Sequence, residues 1–237
     1  MAGIIDEERN VVAPCARYLT TRRQVAAAVI AAGSGRVLLV GVVALAALRL
    51  TLALAGRPLG LADLVAAVAV VALVGPVEWV IHKLVLHAPV ESRRLGILGV
   101  GLGHRAHHAA PDDLRWITLD GREAGGALLG FGVVSGVVSS AVALALGAPV
   151  IATAFTGWLL AAVALTHYEF VHLLVHSGHR PTSRFYATLD RHHRLHHHRN
   201  EQYWLGVTSR TGDRLFRTLP RSKGDVPRSE TTRTLSR

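Results

Sequence analysis

The chain has 237 residues, of which half are hydrophobic and only 5% aromatic, so it is long enough for one substantial domain. Its net charge of +10 comes from Lys and Arg clusters separated by long apolar stretches, a pattern typical of a multi-spanning membrane protein rather than a nucleic-acid-binding one. The single cysteine, Cys15, excludes an internal disulfide and a cysteine-based metal site.

Residues 1–24 precede the first apolar segment, and we expect them to lie in the cytoplasm. Acidic residues at 6–8 stand where a secretory signal would be basic, and no convincing cleavage site follows, so we expect no cleaved signal. The first apolar segment lies within Val25–Ala55 and is interrupted by Arg36 and Arg49. Its limits stay open, and so does an interfacial position for part of it.

Three further segments approach the roughly 20 residues of helix that cross a bilayer. They are Leu59–Ile81, Gly125–Leu146 and Val150–Thr166. The last two are separated only by Gly147, Ala148 and Pro149, which predicts a helical hairpin that leaves and re-enters one compartment. Basic residues concentrate on that side, which predicts that it is the cytoplasm and that both termini face it.

All fourteen histidines lie between residues 82 and 198, in groups that flank the hairpin. Several follow i, i+3, i+4 or i, i+4 spacings, which place imidazoles on one helical face where neighbouring turns can share a metal. These residues are His104, His107 and His108; His193, His196 and His197; and His172 and His176. Imidazole suits Fe, Zn, Cu and Ni, so the spacing predicts a metal cluster without naming the metal.

His82 and His87 are five residues apart, which corresponds to about 140° around an α-helix. We therefore expect them not to bind the same ion, although they could serve two different ions. Ten histidines in helical groups are too many for one mononuclear site. They suit two ions with about five nitrogens each.

Five sequence blocks carry a family resemblance: EWVIHKLVLH, HRAHHAAPDDLRW, YEFVHLLVH, HHRLHHH and LGVTSRTGDRLFRTLP. In their order, from Glu78 to Pro220, the chain resembles the fatty acid 2-hydroxylases of the fatty acid hydroxylase/sterol desaturase superfamily. Carried over position by position, the resemblance implies ten metal ligands. They are His82, His87, His104, His107, His108, His172, His176, His193, His196 and His197. Gly212, where the family usually has a bulky aromatic, and Glu169, where aspartate is common, depart from the pattern.

The resemblance also implies the chemistry: two iron ions, with zinc as a substitute in purified protein, and O₂ as co-substrate. It implies no catalytic residue beyond the metal ligands. Residues 1–24 are too short to encode the cytochrome b5 domain of many eukaryotic members. Electrons are therefore expected from a separate ferredoxin or cytochrome b5-type donor with its reductase.

Carboxylates near the histidine blocks are candidates to orient the ligands. Glu78 lies one turn before His82 and is predicted to accept its second N–H, the alternative being an interfacial carboxylate paired with an arginine. The further candidates are Asp112, Asp113, Glu169 and Asp190. The histidines left outside the ligand set are His167, His179, His192 and His198.

The glycine-rich run 96–103 lacks the preceding strand and the Lys-Ser/Thr of a nucleotide-binding loop, so we interpret it as a connection between histidine blocks. Together the patterns predict an all-α integral membrane protein with about four transmembrane helices and a cytosolic helical cap carrying a dinuclear metal site. We assign residues 25–220 to this domain and residues 221–237 to a disordered basic tail.

The predicted function is O₂-dependent hydroxylation of a lipid-like substrate, such as a fatty acyl chain. One alternative is a histidine-rich membrane metal transporter or binding protein. That class is expected to place its ligands near the bilayer midplane, whereas these histidines gather at one end of the apolar segments. The other is a carotenoid or sterol hydroxylase or desaturase of the same superfamily.

Overall fold

The computed structural model describes residues 15–89, 91–92 and 101–235. In this part of the chain the structure is helical, and its one strand-like pairing is an isolated bridge between Cys15 and Asp113. The helices are α1 (Arg22–Ala31), α2 (Gly33–Leu54), α3 (Leu61–Ile81), α4 (Gly101–Ala109), α5 (Leu114–Ile117), α6 (Gly121–Ala145), α7 (Val150–His176), α8 (Arg184–His198) and α9 (Thr211–Leu215). The prediction of an all-α fold is confirmed.

Four helices are long and apolar enough to cross a membrane, as predicted: α2, α3, α6 and α7. A π-helical turn, His82–Leu86, continues α3. Helix α7 extends through His176, well beyond the predicted end at Thr166. The second half of the hairpin therefore carries two of the candidate ligands on the helix itself.

The first apolar segment is two helices rather than one. Ala32 adopts an extended conformation between α1 and α2, with φ −64° and ψ 155°. The guanidinium of Arg36 donates a hydrogen bond of 2.8 Å to the carbonyl of Ala31, a carbonyl left without an intrahelical partner at the end of α1. The break leaves α2 as the candidate span, and Arg36 lies within its first turn.

The four long helices alternate in direction, so α2 and α6 begin where α3 and α7 end. We call this the histidine end. Helices α6 and α7 approach closely because small residues leave room for larger ones. Gly132 lies against the indole of Trp158, which donates a 3.2 Å hydrogen bond to the carbonyl of Leu128. Gly157 lies against Ser139 in the same interface.

At the opposite end of the bundle, a buried ion pair joins three helices. The guanidinium of Arg49 on α2 lies 3.2 Å from the carboxylate of Asp63 on α3. It also donates to Thr156 on α7 at 2.8 Å, and the Thr156 hydroxyl donates to Asp63 at 2.5 Å. These contacts explain how an apolar helix accommodates Arg49, which is only 5% exposed.

The C-terminal segment, for which a disordered tail was predicted, makes specific contacts in the structure. The structure describes it as far as Leu235, with Val226 and Leu235 both buried. The basic composition of the segment suggested disorder. It could not reveal these contacts, because the hydrogen-bonding partners lie far away in the sequence, on α4 and at the end of α8. Residues 1–14, 90, 93–100 and 236–237 lie outside the described part, so most of the glycine-rich run and the start of the predicted N-terminal segment are among them.

Candidate metal centre

The ten predicted ligands come together as two sets of five buried imidazoles at the histidine end. Within each set, one nitrogen from every ring lies within 4.8 Å of all the others. Set one consists of His82, His87, His104, His108 and His196. Set two consists of His107, His172, His176, His193 and His197.

Helices α4 and α8 each contribute to both sets. On α4, the i, i+4 pair His104 and His108 belongs to set one, and His107 belongs to set two. On α8 the distribution is reversed: the i, i+4 pair His193 and His197 belongs to set two, and His196 belongs to set one. This exchange brings the sets side by side, with the ring centroids of His108 and His197 only 4.2 Å apart.

His82 and His87 lie in the same set, which corrects the expectation that they would serve different ions. The expectation assumed α-helical geometry. Instead, the His87 amide donates to the His82 carbonyl at 3.1 Å, an i to i+5 bond of the π-helical turn. The wider turn brings residues five apart onto one face, so the two rings converge with a centroid separation of 4.8 Å.

The spacing of the ring nitrogens fits a metal ion in each set. The Nε2 atoms of His87 and His104 lie 3.1 Å apart, and those of His176 and His193 lie 2.8 Å apart. Nitrogens at right angles around an ion at about 2.1 Å would be separated by roughly 3.0 Å. Five nitrogen donors without carboxylate or thiolate suit a transition metal such as iron or zinc.

Burial keeps the rings in the form that binds metals. It is the largest effect that lowers the pKa of His104, His107 and His193 well below the ordinary value, and neighbouring imidazoles lower those pKa values further. The pKa of His108 is lowered to about 4, again mainly by burial. These imidazoles are therefore neutral at pH 7, as metal binding requires.

Three rings of set one are oriented by backbone carbonyls. The Nδ1 atom of His82 lies 2.5 Å from the carbonyl oxygen of Leu205, and that of His196 lies 2.9 Å from the oxygen of Tyr203. The Nδ1 atom of His108 lies 2.7 Å from the oxygen of Thr232. Nδ1–H donation to these oxygens leaves each Nε2 as the acceptor that faces the centre of the set.

The loop that supplies two of these carbonyls is turned by Trp204. This buried residue has a left-handed backbone, with φ 54°, which is uncommon for a residue with a side chain. Its amide donates to the Thr218 carbonyl at 3.1 Å. The conformation lets the carbonyls on either side, from Tyr203 and Leu205, both reach set one.

Two carboxylates hold this loop. Asp213 accepts hydrogen bonds of 2.9 Å from the amides of Leu205 and Gly206. Glu78 accepts from the amides of Val207 and Thr208 and from the Thr208 hydroxyl. The predicted Glu78–His82 hydrogen bond is thus replaced by an indirect link, because Glu78 binds the loop whose Leu205 carbonyl contacts His82.

The other candidate carboxylates have partners away from the rings. Glu169 accepts from the Ser34 hydroxyl at 2.6 Å and from the Leu119 amide at 3.1 Å. Asp190 pairs with Arg194 on α8 at 2.7 Å. Asp112 and Asp113 pair with Arg17 and Arg115. The four remaining histidines, His167, His179, His192 and His198, belong to neither set.

Gly212 is explained by a close crossing of α9 over α3. A Cβ atom at Gly212 would lie 2.5 Å from the Gly75 carbonyl oxygen and from Cβ of Trp79. Gly75 in turn lies directly against Thr211. This chain therefore has no room for the bulky aromatic that the resemblance leads one to expect. The small residue at 212 lets α9, which carries Asp213, lie close to α3 beside the loop that supplies the Tyr203 and Leu205 carbonyls.

An apolar cavity of about 430 Å³ opens beside both sets. It lies between α3, α6 and α7, and its wall includes His82 of set one and His172 of set two. The Nε2 atoms of these two rings are buried without a hydrogen-bond partner. The cavity continues past Leu165 to Ala161 on α7 and is bordered at the histidine end by charged residues such as Arg115 and Glu123.

Fold and site together define an all-helical membrane protein with a buried, histidine-rich site that could bind metal. The chain belongs to the fatty acid hydroxylase family, whose model, described as fatty acid hydroxylase, matches residues 67–218. This match includes all ten histidines of the two sets and the Leu205–Thr208 loop. No curated protein and no solved structure matches the chain.

Proposed function

We propose that the chain is an O₂-dependent hydroxylase that inserts oxygen into a C–H bond of a lipid-like substrate, using one iron ion in each histidine set. The two ions would supply the activation of O₂ and the oxidation of the unactivated C–H bond. In the balanced reaction, substrate, O₂, two electrons and two protons give the hydroxylated product and water. The electrons would come from a separate ferredoxin or cytochrome b5-type donor and its reductase.

One observation carries this proposal: two adjacent five-imidazole sets share an apolar cavity, and each exposes a ring with an unpartnered Nε2 to it. A cavity lined mainly by Val, Leu, Ile, Ala and Phe suits an acyl chain and excludes water. Charged residues at its histidine end suit a polar head group. The substrate would therefore lie with its chain in the bundle and one carbon beside both sets.

Among the described residues, the contacts do not favour a metal transporter. The candidate ligands lie at one end of the bundle, whereas a transport site is expected near the bilayer midplane. The buried charges at the other end, Arg49 and Asp63, already form an ion pair. We propose that the histidine end faces the cytoplasm, because Lys and Arg concentrate in the segments around it.

Two measurements test the proposal. Purified full-length chain should contain about two iron or zinc ions, and this metal content should fall in the His107→Ala and His193→Ala variants. A low metal content unchanged by either substitution would contradict the proposal.

Membranes containing the chain should then be supplied with a ferredoxin, its reductase, isotopically labelled O₂ and, in separate samples, acyl, sterol and carotenoid substrates. A labelled hydroxyl group supports hydroxylation, and loss of two hydrogens without label would instead indicate desaturation.

A further inference from the structure

The C-terminal segment 226–235, which we call the strap, lies across both helices that carry the histidine triads. At the end of α8, the guanidinium of Arg199 donates to the Val226 carbonyl, with a Nε–O distance of 2.9 Å. On α4, the guanidinium of Arg105 donates to the carbonyl of Leu235 at 3.1 Å. The strap therefore joins the two helices whose histidines are shared between the sets.

Buried anchors hold the strap at both ends. Val226 is 2% exposed and Leu235 is 5% exposed, although most residues between them are exposed. In the middle, the Thr231 hydroxyl donates to the Glu201 carboxylate at 2.8 Å. The Ser229 amide donates to the carbonyl at the end of α8 at 2.8 Å. These contacts position the backbone at Thr232.

The strap reaches the metal centre through one atom. The Thr232 carbonyl oxygen lies 2.7 Å from Nδ1 of His108, a ring that is completely buried. The carbonyls that orient His82 and His196 belong to Leu205 and Tyr203, within the region that matches the family. Thr232 lies beyond that region, which ends at residue 218.

We propose that the strap is a positioning element of the metal centre: the Thr232 carbonyl fixes the ring of His108, and docking of the strap strengthens ion binding in set one. This inference rests on the proposed metal-binding function. Loss of a hydrogen-bond partner of a ligating histidine typically lowers metal affinity by about 10- to 100-fold. Coupling between two binding events is reciprocal, so ion binding should also hold the strap in place.

The test compares two truncations of the full chain. A stop after Ser229 removes the Thr232 carbonyl and the Leu235 anchor, whereas a stop after Leu235 retains the whole strap. We expect the shorter protein to release one of its two ions to a chelator about 10- to 100-fold faster, while the second ion is released at the full-length rate. The control truncation should release both ions as the full-length protein does.

Histidine substitutions identify the set that is affected. In a His176→Ala background, which perturbs set two, the stop after Ser229 should still accelerate loss of an ion. In a His108→Ala background it should have no further effect, because the contact it removes acts through that ring. Equal effects in both backgrounds would show that the strap acts on general stability and would overturn the proposal.

A full-length Leu235→Asp variant provides a second test if the truncated chain does not fold. Its strap should be cut faster by trypsin after Arg228 and Arg233, and it should also lose one ion faster. In the unmodified chain, removal of the ions should accelerate the same cleavage. Ion release that is unchanged in a variant with a demonstrably released strap would overturn this inference alone. A full-length chain without bound ions would overturn both it and the proposed function.

Discussion

The backbone amide of His87 donates to the carbonyl of His82 across 3.1 Å, five residues back in the chain. The π-helical turn that this bond closes brings His87 into the same set as His82, because it places the two rings on the same face. The triad on α4 shows the opposite relationship, since the adjacent His107 and His108 lie in different sets with centroids 6.1 Å apart. Proximity in the sequence therefore does not indicate which histidines share an ion.

The two-set arrangement predicts the pattern of ion loss in double variants. His82→Ala/His87→Ala changes one set, so about one ion per chain should remain. His87→Ala/His107→Ala changes both sets, so the content should fall toward zero. Mass spectrometry of purified protein measures both. As a control, His179→Ala removes a histidine of neither set and should leave two ions. Loss of both ions in the His82/His87 variant would contradict the assignment.

Glu78 and Asp190 were both candidate orienting carboxylates in the sequence, Glu78 the principal one, and their contacts predict different outcomes. Glu78→Ala leaves the Val207 and Thr208 amides without their acceptor, at a cost of about 1–3 kcal/mol for each buried unsatisfied group. It should lower the thermal midpoint and weaken ion binding through the displaced Leu205 carbonyl by about 10-fold. Glu78→Gln retains an acceptor oxygen and should recover part of both losses.

Asp190→Ala serves as the control for this comparison. Its carboxylate pairs with Arg194 in a solvent-accessible i, i+4 contact, which contributes at most about 0.5 kcal/mol. We expect an unchanged ion content and little change in the thermal midpoint. If Asp190→Ala lowered the ion content as much as Glu78→Ala, the Leu205–Thr208 loop would not be the link between Glu78 and the site.

The sequence predicted the parts of the site that depend on local periodicity. Apolar runs indicated four spans, and i, i+4 spacing indicated that His172 and His176 would lie on one helical face, as they do in set two. The π-helical turn at His82 was missed because the sequence carries no local signal that distinguishes it from an α-helix. Composition likewise could not reveal that the strap, though basic, has partners on α4 and α8.

The groups that orient set one were missed for a different reason. The sequence offers carboxylates as candidate orienting groups, whereas in the structure the backbone oxygens of Tyr203, Leu205 and Thr232 contact the rings. Every residue has a carbonyl, so residue type cannot identify an orienting one. One indirect signal existed: Gly212 departs from the family pattern at the crossing with Gly75 that positions this loop.

The Arg49–Asp63 pair should stabilise the fold without influencing the metal centre. Arg49→Leu leaves the Asp63 carboxylate buried without its cation, at an expected cost of about 3–5 kcal/mol. Arg49→Leu/Asp63→Asn removes both charges and should recover most of that loss. Asparagine also retains an oxygen that can accept from the Gly60 amide at the start of α3. Thermal unfolding in detergent measures the recovery.

The ion content provides the discriminating readout for these variants. Arg49 and Asp63 lie at the end of the bundle opposite the two sets, so any protein that remains folded should bind two ions. A folded Arg49→Leu protein that lost an ion would show that the two ends are coupled. A double variant no more stable than Arg49→Leu would show that the cost comes from lost packing of the arginine side chain rather than from an unpaired charge.

The cavity predicts a limit on the length of the substrate chain. Ala161 and His172 both line it and are 11 positions apart on α7, which corresponds to roughly 16 Å along the helix. Ala161→Phe would fill the part far from the histidines. We expect long acyl chains to lose at least about 10-fold in kcat/KM, a change of about 1.4 kcal/mol, while short chains retain their turnover.

Val163→Phe is the matched control, because it adds a large side chain to the same helix at a position 46% exposed on the outside of the bundle. It should leave the chain-length profile and the ion content unchanged. Both variants are assayed with acyl substrates of increasing length, and the products are measured by mass spectrometry. A uniform loss across all lengths in Ala161→Phe would indicate general disruption of the bundle. An unchanged profile would show that the substrate chain does not occupy this cavity.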